Sequence, residues 1–320
     1  MIVLRFQQNG LIEIDEMKIK ALHILACVFL LSVALSCDRE GDALLVPISF
    51  TTEEYSVDLR SEQVNPVDFQ SFGVFSMVNG EPLMNNVEIR NKGSYWSADT
   101  PYYWPQKAGS YVDFYAYSPY ASLSNQSDDA GFVFAFDDET GKPKFTFTMS
   151  DKADMDLMVA KAEGCTAAGG PVRLEFRHLL CKVKFSFSVS NEGGYSYLVN
   201  TIKVNGTPLV ADYDWTTDVF DIKEMGTVSV HIDGGGDSNL IDSTDPIVIE
   251  DFTMFLMPGD LKEIEVIINN DAPKTIYLSD VELDANLELT VHFEVSLNGI
   301  NFTTSVNKWV DGGTAAGNIS

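Results

Sequence analysis

The chain has 320 residues, 47 acidic against 21 basic, for a net charge of −26 at pH 7. That charge excludes a general nucleic-acid binder, which needs a basic footprint to displace counterions, and it argues against docking on anionic lipid. With 45% hydrophobic and 21% charged residues the chain is globular rather than disordered, and its length suits two domains.

Lys18 and Lys20 precede an apolar run from Ala21 to Leu35. The run has the length of a signal-peptide core and is short for a membrane span. It ends in Ala34-Leu35-Ser36-Cys37. Basic start, short apolar run and small residues before a cysteine resemble a bacterial lipoprotein signal. Cys37 would then carry lipid and open the mature protein, although Ala34 stands where leucine is usual. A plain secretory signal or a buried helix fits the same stretch. Glu13, Asp15 and Glu16 do not suit the start of a signal, so translation is expected from Met17, and residues 1–36 are set apart from the fold. Asp38-Arg39-Glu40 resembles the surface-export signal of Bacteroidetes lipoproteins, or simply begins a solvated linker.

From there the periodicity is two. Short alternations run through Phe132-Phe134-Phe136, Phe145-Phe147-Met149, Val228-Val230-Ile232 and Ile264-Val266-Ile268. In 286–298, Leu287, Leu289, Val291, Phe293, Val295 and Leu297 share one face, a long half-buried strand. Asn298-Gly299 follows and Ile300 and Phe302 resume the alternation, so a hairpin is expected there. Nothing predicts a helix of four turns after the signal. The class is all-β, as antiparallel sandwiches rather than βαβ units.

One segment changes phase. Val172, Leu174 and Phe176 lie on one parity, whereas Val183, Phe185, Phe187 and Val189 lie on the other. A one-residue slip turns every side chain to the wrong face, so across His178–Cys181 the chain must bulge, turn or cross between sheets. Val78-Asn-Gly-Glu-Pro-Leu83 recurs as Val204-Asn-Gly-Thr-Pro-Leu209. Two related domains with equivalent hairpins would explain the recurrence, and so would turn chemistry alone. The small-residue loop from Gly164 to Pro171 is the best boundary, dividing 37–168 from 169–320. Once Cys27 leaves and Cys37 is lipidated, Cys165 and Cys181 remain. Two independent thiols are expected; a disulfide stays open, because spacing does not fix the Cα separation.

Catalytic motifs are missing, so no enzyme, cofactor or metal is expected. The three histidines after the signal are His178, His231 and His292, outside any metalloprotease, hydrolase, phosphate-loop or dinucleotide motif. His178, at the phase change, is expected to satisfy backbone there. Asp137-Asp138-Glu139 and the group Asp212, Asp214 and Asp218 lack the full calcium-loop spacing and read as solvated turns. Trp96, Tyr103 and Trp104, with Tyr95 and Tyr102 beside them, offer flat rings for a glycan platform. Packing against Tyr111, Phe114, Tyr115 and Tyr117 in a core is the favoured alternative.

Several stretches together resemble the fimbrillin family of pilus subunits and pilus-associated lipoproteins of Bacteroidetes. They are Pro47-Ile-Ser-Phe50 with Phe72-Gly-Val-Phe75, Tyr102-Tyr-Trp-Pro105 with Phe114-Tyr-Ala-Tyr-Ser-Pro119, and Asp156-Leu-Met-Val-Ala160 with Phe176-Arg-His-Leu-Leu180 and Lys182. Met254-Phe-Leu-Met-Pro258 and the surroundings of Trp309 complete the set. The resemblance implies two transthyretin-like β-sandwich domains in tandem, other pilin subunits as partners, and assembly by strand exchange after a protease cuts behind Arg or Lys. The matching position is Arg60, which would release a strand in 45–59. It also implies a surface-exposed outer-membrane lipoprotein or fimbrium, with host protein or glycan as a further partner. A lipoprotein binding module that never polymerises is the alternative. Asp242-Ser243-Thr244 resembles a Bacteroidetes O-glycosylation pattern.

Overall fold

The computed structural model describes residues 45–52, 71–121, 131–190, 194–233, 238–279, 281–297 and 299–309. Among these the protein is all-β, with no α-helix and two single-turn 3₁₀ segments. The first ten strands are β1 (Phe50–Thr52), β2 (Ser71–Val78), β3 (Glu81–Asn91), β4 (Trp96–Ser97), β5 (Val112–Ser118), β6 (Gly131–Phe136), β7 (Pro143–Thr148), β8 (Met158–Cys165), β9 (Val172–Leu174) and β10 (Arg177–His178). The remainder begins with β11 (Cys181–Val189), β12 (Tyr197–Asp214), β13 (Val219–His231), β14 (Leu240–Ile241), β15 (Ile247–Val248) and β16 (Met254–Leu256). It ends with β17 (Gly259–Asp260), β18 (Glu263–Ile268), β19 (Lys274–Tyr277), β20 (Glu282–Leu283), β21 (Leu287–Ser296) and β22 (Gly299–Lys308).

The first sheet runs β10-β8-β5-β2-β3-β4-β1-β9. It curls around a small core in which Phe50, Phe72, Phe114, Val172 and Leu174 meet. A second sheet runs β15-β11-β21-β22, and a third runs β19-β18-β12-β7-β6 with β13 along β12. These two share a large core that includes Phe185, Phe293, Val204 and Val266.

Both cores use β2 and β5. Phe72, Val74 and Phe114 serve the small core, whereas Phe75, Met77, Tyr115 and Tyr117 serve the large one. Alternate side chains point to opposite faces, so a strand buried on both faces reads as an unbroken apolar run. Strands also pass across 168/169: the β6–β7 hairpin pairs with β12, and β9 and β10 pair with β1 and β8.

The phase change after Phe176 is a sheet crossing. The chain leaves the first sheet at β10 and enters the second as β11. Pairing departs from the antiparallel expectation at two places: β1 runs parallel to β9, and β11 parallel to β21 along Lys182–Val189. A parallel pair needs a long crossover, and each of these pairs is far apart in sequence.

The two Val-Asn-Gly segments diverge. Asn79 (φ 50°) and Gly80 (φ 89°) form the tight β2–β3 turn, as the residue types require. Asn205-Gly206 instead lies inside continuous β12, where Gly206 (φ 69°) marks a register shift against β13. The expected second hairpin is therefore a bulge. The β21–β22 hairpin is present, closing with Ser296 opposite Gly299, so that Gly299 opens β22.

Gly73 faces the Tyr117 ring so closely that an added Cβ would lie 2.2 Å from Tyr117 Cε1. The ring is pinned: its hydroxyl donates to Asn86 Oδ1 at 2.6 Å, and the Asn86 amide donates to the Ala121 carbonyl at 2.9 Å. Burial pushes the phenol well above its ordinary pKa. Gly73→Ala is expected to cost about 1–3 kcal/mol by overpacking, read as a lowered urea midpoint at unchanged slope.

Candidate functional site

The aromatic segment before β5 splits between core and surface. Trp96 and Trp104 are buried, with Phe72 against Trp96 at 5.4 Å between centroids and Phe114 edge-on to Trp104 at 5.9 Å. Their rings pack inside the small core, so neither extends a platform to solvent. Tyr103 is 39% exposed, on a segment that bridges to Pro47. Backbone bonds from Ile48 to Tyr102 and from Trp104 to Val46 hold that segment beside residues 46–48. Tyr95 and Tyr111 are also exposed.

Phe50 holds the adjoining strand β1 in place. It is fully buried, with Phe72 at 6.0 Å and Phe114 at 5.4 Å, both edge-on. Ile48, two residues earlier, is buried in the same core. The next residues, 53–70, are outside the described set, as are Cys37 and Arg60. The three-residue strand thus delivers one large apolar side chain to the middle of a small core, flanked by β4 and β9. Burying such a ring is worth roughly 1.5–3 kcal/mol.

The polar groups are committed to structure. Asp137 accepts from the Glu139 and Thr140 amides and the Thr140 hydroxyl, closing the β6–β7 turn, and these bonds hold its carboxyl below the usual range. Asp218 takes both Arg177 and Tyr213, and Asp212 takes Thr146 and Lys223. Among the described residues no group of three or more His, Cys, Asp or Glu is arranged to hold a metal. His178 is buried, 2.9 Å from Asp156 and stacked on Trp309 at 3.5 Å. The His292 ring sits between Ser186 and Ser188, at 2.9 and 3.1 Å. Both serines are buried in β11, so the arrangement is a cross-strand clip. His231 bonds Thr201 and Asp233 beside an open depression of about 410 Å³ lined also by Lys152, Asp154 and Asp251.

The Fimbrillin-like family model matches residues 67–309. The chain belongs to that family. Among solved structures it is similar to a fimbrial protein from Bacteroides vulgatus, at 15% identity and a TM-score of 0.57, covering 82% of this chain and 99% of the other. It is also similar to a proposed cell adhesion protein from Bacteroides uniformis, at 16% identity and 0.55, covering 84% and 100%. Another, from Bacteroides ovatus, stands at 14% and 0.52, covering 83% and 98%. At these identities the likeness is one of fold. No curated protein matches the chain. Among the described residues no helix is long and apolar enough to cross a membrane.

Two features of this fimbrillin-like chain escape residue-by-residue reading. One is the outer edge of β22, which among the described residues pairs only with β21; the signal for it was the absence of any charge from Gly299 to Asn307. The other is the seating of Phe50 between β4 and β9: the resemblance marked Pro47–Phe50, but three residues carry no pattern that tells which strands flank them. Cys165 and Cys181 are both free thiols. Burial pushes Cys165 up, and Cys181 up to about 12. Since the thiolate is the reactive form, iodoacetamide at neutral pH is expected to leave Cys181 unmodified until the chain is unfolded. Peptide mass mapping before and after denaturant checks this; labelling of Cys181 in the native protein would contradict it.

Proposed function

We propose that the protein is a cell-surface fimbrial subunit or pilus-associated adhesin. On this reading it is lipid-anchored at Cys37 in the outer membrane and joined to other pilin subunits by proteolysis-triggered strand exchange. Family membership and the all-β fold support the fimbrial role. The observation that carries the exchange is the seating of Phe50. A cut behind Arg60 would sever β1 from β2, leaving Ile48 and Phe50 held only by non-covalent packing and by ladders to β4 and β9. Loss of β1 would open a slot lined by Phe72 and Phe114 and expose backbone groups that a strand from another subunit can satisfy. The large core holds no residue of β1, so it would survive the exchange.

In this reading the chain is two transthyretin-like sandwiches in tandem, divided near 168/169, with β6–β7 completing the second and β9–β10 the first. No catalytic role is assigned, and no cofactor. Exposed Tyr103 favours a second possibility for the same surface, capture of host glycan or protein without polymerisation.

Limited digestion of the purified chain with an Arg-specific protease tests the first reading. The expected result is a new N-terminus at Ser61 and growth into SDS-resistant multimers, both abolished in Arg60→Ala. Resistance at Arg60, or a cut product that stays monomeric, would overturn it.

A further inference from the structure

The second sheet ends at β22, which among the described residues pairs only with β21. The pairing is regular over its whole length, from Leu287–Lys308 to Ser296–Gly299, without a register shift. Proteins guard such edges with lysine, proline, bulges or brevity. From Gly299 to Asn307 the edge has no charge and no proline, in a chain of net charge −26. Its end is also fixed: Trp309 is buried, its amide donates to the Asn286 carbonyl at 3.1 Å, and its ring stacks on His178 and Phe255.

The core face of β22 is short of cover. Ile300, Phe302, Thr304 and Val306 stand opposite Val295, Phe293, Val291 and Leu289, all four of which are buried. Yet Phe302 is 39% and Val306 38% exposed. The edge offers both unpaired backbone and uncovered apolar side chains. By contrast β13, another edge, carries Asp221, Lys223 and Glu224.

We propose that β22 pairs antiparallel with β22 of a second copy of this chain, about a two-fold axis at Thr303. Hydrogen-bond phase and side-chain composition select that register. In an antiparallel ladder, alternate residues bond to one neighbour and then the other. A two-residue hairpin connection makes Ser296 and Gly299 a hydrogen-bonded pair. Residues 301, 303 and 305 therefore bond to β21, and residues 300, 302, 304 and 306 turn their backbone groups to the free edge. Two copies can pair only by setting outward residues opposite outward residues. Centring on Thr303 places Ile300 against Val306 of the second copy and Phe302 against its Thr304 on the core face. Asn301 meets Ser305 and Thr303 meets Thr303 on the other face. No charge falls within the paired stretch. Centring on Thr304 instead would set Ile300 against Lys308. The result is one sheet running through both copies, an isologous contact of the kind that closes homodimers. It needs neither cleavage at Arg60 nor a pilin of different sequence, so it stands apart from the pilus reading.

Sedimentation velocity of the full, uncut chain in detergent is expected to show a monomer–dimer equilibrium. The dimer should strengthen as salt rises from about 30 to 300 mM, because salt screens the repulsion between two acidic bodies. Thr304→Lys, at an exposed site, is expected to raise the concentration of half-dimerisation at least tenfold. On oxidation, Thr303→Cys should give a covalent dimer beyond that of the parent chain, since facing residues at a non-bonded pair lie about 4.5 Å apart, within disulfide range. Ser305→Cys, which faces Asn301 rather than itself, should not. If Thr304→Lys fails to fold, the cysteine pair still decides. A chain that stays monomeric at all concentrations, whether another strand covers the edge or none does, overturns the proposal. So does a dimer that cross-links equally through positions 303 and 305.

Discussion

The layer of rings between the first sheet and the β12 sheet is the contact on which the rest depends. Trp215, just past the end of β12, is buried against Phe75 of β2, Tyr115 of β5 and Phe145 of β7, with centroids at 6.4, 6.0 and 5.1 Å. Tyr117 adds Phe132 and Phe134 at 5.1 and 4.8 Å. Edge-on and tilted pairs at these distances contribute beyond their buried area. Because β2 and β5 show one face to this layer and the other to the small core, these two strands tie the cores together, whereas β1 belongs to the small core alone. Polar pins reinforce the layer. Lys142, with Tyr115 beside it, bonds Glu163 and holds its carboxyl below the usual range, and Arg177 of β10 reaches Asp218 and Tyr213.

That constraint distributes risk unevenly. The small core is built from few residues, and Phe50 reaches it on a strand of three. The large core draws on all three main sheets, with strands from β2 to β21. A change confined to β1 therefore strips one ring and a short ladder, and leaves the aromatic layer, Trp215 and the facing sheets in place. The molecule thus joins a small core that depends on one short strand to a larger core that contains no residue of it.

The surface follows from charge. Among the described residues Lys184–Glu288 and Lys203–Glu265 pair across neighbouring strands. Such part-exposed pairs add little stability; the unpaired acidic excess, a net charge of −26, favours repulsion between copies. Against that background β22 offers a long edge without charge from Gly299 to Asn307, and its regular register makes it an edge suited to pairing.

Local chemistry determined a good deal by sequence alone. Alternation marked β6, β7, β18 and β21, Asn79-Gly80 set the first hairpin, and the parity change after Phe176 located the crossing between sheets. These signals survive because strand period and turn geometry depend on neighbours along the chain. The family resemblance likewise followed from the order of short motifs. What pairs with what was decided by tertiary structure. The same Val-Asn-Gly is a turn at 78–80 and a bulge at 204–206, because β12 pairs with β13 on both sides of the bulge, with β18 on its other edge up to Asn205 and β7 from Val210. Trp96 and Trp104 are core while Tyr103 is exposed, because adjacent side chains on extended backbone face opposite ways and only the curl of the first sheet decides which way is inward. The parallel β11–β21 pair and the trading of β6–β7 and β9–β10 between sheets rest on contacts between distant segments, which no local pattern encodes.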